Sequence, residues 1–293
     1  MTAGAPDAAA AKNGQAILEN ALANLARWLR AVATPPPAKL LRPHIPAIAG
    51  SVATVAIIVI SMFAFDVPAS AWVAHQEPQW LRDIFEKITD FGLSGWFLYP
   101  LGFGVAGLAA LITPKLSVMS RGVLLALAAR FGFLFLAIGL PGLFGTIIKR
   151  LIGRARPFVG GFDNPFLYHP FVWRPEYASL PSGHSTTAVA AAVAIGAVWP
   201  RSRPLMWVYA FAIMASRVFV MAHHPSDVIA GALVGAAGAF LLRRWFAARR
   251  LVFCTRDLRP YPGPSLRRTK AALHEAFSGR HPNYMNSLKL SAD

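Results

Sequence analysis

Charged side chains are scarce in this sequence: they make up 14% of its 293 residues, with 13 acidic residues against 29 lysines and arginines. A soluble domain carries about a quarter charged residues, so a water-facing globule of this length is disfavoured. Cysteine is nearly absent. Cys254 stands alone, which excludes an internal disulfide and gives no indication of redox chemistry. The first forty residues lack the apolar core of a cleavable signal peptide, so the first apolar run is expected to act as an uncleaved insertion signal. No internal repeat is present, and no group of carboxylates or histidines has the spacing of a two-metal centre, so no metal or cofactor is expected. The net charge of +16 would suit nucleic acid, but no aromatic and basic platform accompanies it. The better account is contact with anionic headgroups, because most of that charge lies on the side predicted to face the cytoplasm.

What the chain has in abundance is apolar sequence. Hydrophobic residues make up 55% of it, and they are clumped. A helix needs about 20 residues to cross the hydrocarbon core. Six stretches are read as spans: 45–65, 94–112, 122–148, 184–200, 205–222 and 226–242. The last three are short and begin or end in polar residues. The expected fold class is therefore all-α, a six-helix membrane bundle. Basic residues collect in the N-terminal arm, in the loop after the second span (Lys115, Arg121), after the fourth (Arg201, Arg203) and from Arg243 onward. The segment between the first two spans is acidic. Positive-inside counting puts both termini in the cytoplasm.

Three regions follow: an arm over 1–44, a membrane region over 45–242 and a basic tail over 243–293. Residues 1–14 are Ala-rich and expected to be unstructured. Residues 15–33 place Leu18, Leu22, Leu25, Leu29 and Val32 on one stripe, which predicts a helix lying on the membrane surface or against a partner. "PPP" at 35–37 ends it. The outer loop over 149–183 holds Phe158, Phe162, Phe166, Tyr168, Phe171, Trp173 and Tyr177, expected as interfacial anchors.

Three polar clusters fall at predicted outer edges of the spans. In "KRLIGRARP", Lys149 and Arg156 are seven apart, two helical turns, so they can share one face. In "PSGH", Ser182 and the Gly183 amide at a helix N-terminus make an anion site, and His184 follows. In "SRVFVMAHHPSD", Arg217 sits within a predicted span, where something anionic should compensate it. His223 and Asp227 are four apart there, so the carboxylate can reach and orient the imidazole, and Pro225 can start a helix. Each cluster has an ordinary structural explanation, as headgroup anchors, an N-cap or a dipole contact. Together they describe phosphoryl transfer: cations and amides to hold a phosphate, one histidine to attack and another to protonate the leaving oxygen.

These residues resemble the type-2 phosphatidic acid phosphatases, a family related to the vanadium haloperoxidases. The family pattern K-x6-RP, then PSGH, then SR-x5-H-x3-D is complete and in order between Lys149 and Asp227. The resemblance implies that His223 is the nucleophile and forms a phosphohistidine, that Asp227 orients it, and that His184 is the general acid. It implies that Lys149, Arg156, Ser182, Gly183 and Arg217 hold the phosphoryl oxygens without a metal. His224 lies outside the pattern and is read as a bystander. Arg130, inside the third span, has no motif role and is expected to snorkel to the cytoplasmic surface.

The expected activity is hydrolysis of a lipid mono- or diphosphate at the outer face of a bacterial inner membrane. Undecaprenyl pyrophosphate comes first, then phosphatidylglycerol phosphate or phosphatidic acid. The rivals are a lipid A phosphatase or lipid phosphotransferase, a non-catalytic phospholipid or anion transporter, and a haloperoxidase. A transporter needs only the cations, and the related peroxidases are soluble.

Overall fold

The structure is a computed structural model that describes residues 5–35, 45–160 and 164–278. Phe162, named above, lies outside the described residues, as do 1–4 of the arm and 279–293 of the tail. Among the described residues the chain is all-helical, with ten α-helices and only two isolated β-bridges. Each of the six expected spans is a helix: α2 (Ile45–Ala64), α5 (Gly95–Leu111), α6 (Val118–Ile152), α7 (Gly183–Val198), α8 (Arg203–Phe219) and α9 (Pro225–Ala248). The helix expected over 15–33 is present within α1 (Ala5–Ala33), and three helices were not expected: α3 (Asp66–Gln76), α4 (Gln79–Asp90) and α10 (Leu266–Ser278). The Ala-rich start expected to be unstructured is helical from Ala5 onward, consistent with the high helix propensity of alanine.

Among the described residues, three helical stretches are long and apolar enough to cross a membrane: Gln79–Leu111, Val118–Ile152 and Pro225–Ala248. A fourth candidate is the pair Val52–Ala64 and Asp66–Gln76, bent by 51°. The 16 residues of α7 reach only about 24 Å, less than the ~30 Å hydrocarbon core.

The chain divides into two compact units. One comprises 38–99 and 133–245. At its centre α7 packs on α8, and α8 also takes α4. Beyond Thr187 the helix α7 is apolar on every face, the composition of a helix enclosed by protein, and Ala188, Val189 and Ala192 are buried with Ala210 and Ile213 of α8. Small side chains let helices approach closely without a hydrophobic drive from water. The same logic brings α9 to the start of α7. A Cβ at Gly231 would stand 2.4 Å from the Ser182 carbonyl oxygen, so only glycine fits there.

The other unit comprises 1–37, 100–132 and 246–293. Its core gathers Leu108, Ile112, Val123 and Leu124 with Ala272 of α10. Helix ends leave carbonyls and amides unmet, and side chains meet them here. The Asn24 amide donates to the carbonyls of Ala109 and Ile112, both at 2.8 Å, at the end of α5. At the start of α6, Glu275 accepts from the Ser117 amide at 2.7 Å and the Ser120 hydroxyl at 2.6 Å. Arg130 does not snorkel. It is buried, and donates to the carbonyls of Ala126 and Tyr261, each at 2.8 Å. Two carbonyls inside the protein satisfy the guanidinium, which removes the drive to reach water.

Candidate active site

The three motifs meet in the unit of 38–99 and 133–245. Lys149 lies in the last turn of α6. Gly153 ends that helix in the left-handed region, φ +64, with its amide donating to the Lys149 carbonyl at 3.0 Å. A Cβ there would strike the His169 carbonyl oxygen at 1.8 Å, so glycine is obligatory. This stop corrects one expectation. Arg156 lies beyond the helix and shares no helical face with Lys149; its amide is held by the Glu176 carbonyl at 2.9 Å.

Ser182 is the N-cap of α7, its hydroxyl accepting from the Ser185 amide at 3.5 Å. The Ser182 amide donates to the Asp227 carbonyl at 3.0 Å, tying the second motif to the third. A Cβ at Gly183 would lie 3.1 Å from Lys149 Nζ, so the ammonium sits over the first residue of α7 and joins the first motif to the second. In the third motif, α8 ends just after Arg217, and the amides of Ala222 and His223 turn back to the Arg217 carbonyl at 3.2 and 3.1 Å. Pro225 opens α9, where its missing N–H costs nothing.

His223 is 3% exposed. Its Nδ1 lies 3.9 Å from Asp227 Oδ2, too far for a hydrogen bond. The Ser179 hydroxyl lies beside both, 3.4 Å from His223 Nδ1 and donating to Asp227 Oδ2 at 2.6 Å. Contact from carboxylate to imidazole therefore runs through a serine the motif pattern does not include. Burial first, then the positive charges of Arg217, Arg156 and Lys149, holds the His223 imidazole well below its ordinary pKa of 6.5. Cations from all three motifs thus act on one neutral histidine. His224 turns elsewhere, with its Nδ1 3.2 Å from the Ser70 hydroxyl.

The cations keep donor capacity in hand. Arg156 Nε and Arg217 Nε are buried with no hydrogen-bond partner in the protein. Arg217 Nη1 donates to the Thr89 hydroxyl of α4. Among the described residues no carboxylate pairs with Arg217, although a charge at this depth should have an anionic partner.

Sequence reasoning missed the group that holds Asp227. Arg154 is fully buried, with Nη1 donating to Asp227 Oδ1 at 2.6 Å and to the Ser226 hydroxyl at 2.7 Å. Its Nη2 donates to Asp66 Oδ2 at 2.7 Å, and its Nε to the Pro165 carbonyl at 2.9 Å. Asp66 also accepts from the Ser226 amide at 3.0 Å. One guanidinium thus bridges two buried carboxylates. Two basic residues, Arg150 and Arg154, lie between Lys149 and Arg156, and nothing in the sequence marks Arg154 as the one that reaches the carboxylates.

A cavity of about 350 Å³ adjoins the cluster. Gly183 and His184 line it together with apolar residues such as Leu98, Ile138 and Leu143, so polar chemistry and hydrocarbon share one space. Gly92 is part of its wall, and a Cβ there would come within 2.7 Å of His184 Cδ2 and 2.8 Å of Ile213. Gly92→Ala is expected to displace the His184 ring. Any phosphate hydrolysis at this cluster should fall on the order of tenfold to a hundredfold, chiefly in kcat, and Tm should fall as well because the methyl overlaps buried Ile213. Steady-state kinetics on the variant checks this.

An all-helical membrane chain with cations and two histidines gathered at helix ends is what the fold and these residues define. The chain belongs to the PAP2 superfamily, whose profile matches residues 130–251. The Lipid A 1-phosphatase of Rhizobium johnstonii is 36% identical over 200 residues, covering 67% of this chain and 79% of its own. The Undecaprenyl-diphosphatase of Sulfolobus acidocaldarius is 36% identical over 102 residues, covering 33% of this chain and 46% of its own. A solved structure, the first transmembrane PAP2 type phosphatidylglycerolphosphate phosphatase from Bacillus subtilis, matches with a TM-score of 0.46 at 21% identity. It covers 66% of this chain and 94% of that one.

Proposed function

We propose that this protein is a membrane lipid phosphatase that cleaves a phosphate ester or diphosphate through a phosphohistidine on His223. The observation that carries it is the pair of buried, unpartnered guanidinium donors on Arg156 and Arg217, set with Lys149 around a neutral histidine. Those donors match the equatorial oxygens of a phosphoryl group, where charge builds in the transition state. With Nδ1 turned to Ser179 and Asp227, Nε2 is the nitrogen left to attack phosphorus. The P–N bond forms as the bond to the leaving oxygen breaks, and His184 gives that oxygen its proton. The dianionic phosphate supplies the countercharge for a protonated His184. Water then attacks the phosphohistidine, its proton passes to His184, and the P–N bond breaks to release phosphate and neutral His223. No metal takes part in this scheme.

The apolar wall shared with His184 supports a lipid substrate entering from hydrocarbon. Among lipids, the 1-phosphate of lipid A moves ahead of undecaprenyl pyrophosphate, because the lipid A relative is matched over 79% of its length and the undecaprenyl relative over 46%. The proposed topology has six spans with both termini cytoplasmic, so that the cluster faces the outside of a bacterial inner membrane. Residues 45–242 carry the activity, and the arm and tail flank it. The test is phosphate release from a panel of these lipids by detergent-purified protein in EDTA. Lipid A 1-phosphate should be the best substrate. Loss of activity in EDTA, or preference for a water-soluble phosphate, would overturn the proposal.

The pH dependence follows from the His223 shift. The attacking form is neutral imidazole, and its pKa is depressed, so the fraction competent to attack stays high as pH falls through 6.5 and is lost only below it. The acid limb of kcat/KM assigned to the free enzyme is expected well under that value. Arg156→Gln removes one of the cations responsible and should move that limb toward higher pH. A pH–rate profile of the two proteins checks both statements.

A further inference from the structure

We propose a second binding site, for the phosphate headgroup of an anionic membrane phospholipid, in the unit of 1–37, 100–132 and 246–293. It is a cavity of about 740 Å³ built from residues other than those of the catalytic cluster. That volume falls within the ordinary range of ligand sites.

Among the described residues, Arg27, Arg121 and Arg250 line the cavity and no carboxylate does. All three are exposed, and a rim of one sign of charge around an apolar cavity attracts an anion. The remaining wall is largely apolar, with Leu25, Val105 and Leu125, so the occupant must be an anion joined to hydrocarbon. The site also holds a polar atom in need of a partner: the Trp28 indole Nε1 is buried without one in the protein, and Trp28 lines the cavity. Its ring lies against Gly132, where a Cβ would stand 2.2 Å from Trp28 Cζ2.

Arg27 is preorganised too. Its Nη2 donates to Asn24 Oδ1 at 2.6 Å, and the Asn24 amide is spent on two carbonyls of the α5 end. The helix carrying Arg27 and Trp28 also decides the source of the anion. Leu18, Leu22 and Leu29 of α1 are 59%, 56% and 49% exposed, an apolar stripe that suits a lipid surface and not water. A basic pocket at a membrane surface selects lipid phosphate over free anions.

The test is native mass spectrometry of the full chain in neutral detergent, with phosphatidylglycerol or phosphatidylcholine added. The protein should retain phosphatidylglycerol in preference. Each of Arg27→Gln, Arg121→Gln and Arg250→Gln should weaken that retention about fivefold, and the triple variant on the order of a hundredfold. Arg121 is exposed, so Arg121→Gln tests the site even if the triple variant folds poorly. Arg156→Gln, which alters the catalytic cluster, should leave the preference intact. Equal retention of both lipids, unchanged retention in Arg121→Gln, loss in Arg156→Gln, or displacement by millimolar inorganic phosphate would each overturn the proposal.

Discussion

His223→Ala is expected to lower lipid phosphate hydrolysis by about a thousandfold or more, because it removes the atom that bonds to phosphorus. The loss should fall on kcat with Tm changed much less, since among the described residues the imidazole's one hydrogen-bond contact is the long 3.4 Å approach to the Ser179 hydroxyl. His184→Ala is expected to behave differently. It removes the proton donor, about 10²- to 10⁴-fold for a lipid alkoxide, but an ester with a good leaving group such as p-nitrophenol needs no such donor. That variant should therefore still take phosphate onto His223 from p-nitrophenyl phosphate, whereas His223→Ala takes none. Comparing the two variants on the two substrates separates attack from protonation.

The second large effect is predicted at Arg154. Arg154→Met leaves Asp66 and Asp227, both fully buried, without the cation between them. Breaking a buried ion pair from one side costs about 3–5 kcal/mol, which corresponds to a fall in Tm of roughly 10 °C for a chain of this size. Activity should fall as well, because Asp227 loses the donor at 2.6 Å that fixes its carboxylate. Adding Asp66→Asn removes one of the stranded charges and should restore part of the stability while leaving activity low. The double-mutant cycle reads the coupling directly. Additive stabilities would show that the bridge contributes nothing.

Legibility in the sequence divided along physical lines. The six apolar stretches were legible as helices because each is a continuous apolar run, and all six are helices; among the described residues only three helical stretches, or four with the bent pair, are long and apolar enough to cross a membrane. The helices α3 and α4 were missed because their residues, from Asp66 to Asp90, carry mixed charge and lack any long apolar run. Lys149, Ser182, Gly183, His184, Arg217 and His223 were singled out from motif spacing. The structure brings the three motifs together through contacts such as the Ser182 amide on the Asp227 carbonyl. Spacing misled for Lys149 and Arg156, where Gly153 breaks the helix that their separation suggested. Arg154, Ser179 and Asp66 could not be read. Asp66 meets Arg154 across 88 positions, and nothing local in either stretch records the other.

The central claim is a phosphohistidine on His223, and trapping it is the most direct measurement. The protein is mixed with ³²P-labelled lipid phosphate in EDTA, quenched in alkali and divided between alkaline and acid incubation. A label that survives alkali, is released by acid and is absent from His223→Ala is the predicted result, because a phosphoramidate bond is stable to base and labile to acid. Phosphate release without any trapped label, or a label that persists in His223→Ala, would contradict the account.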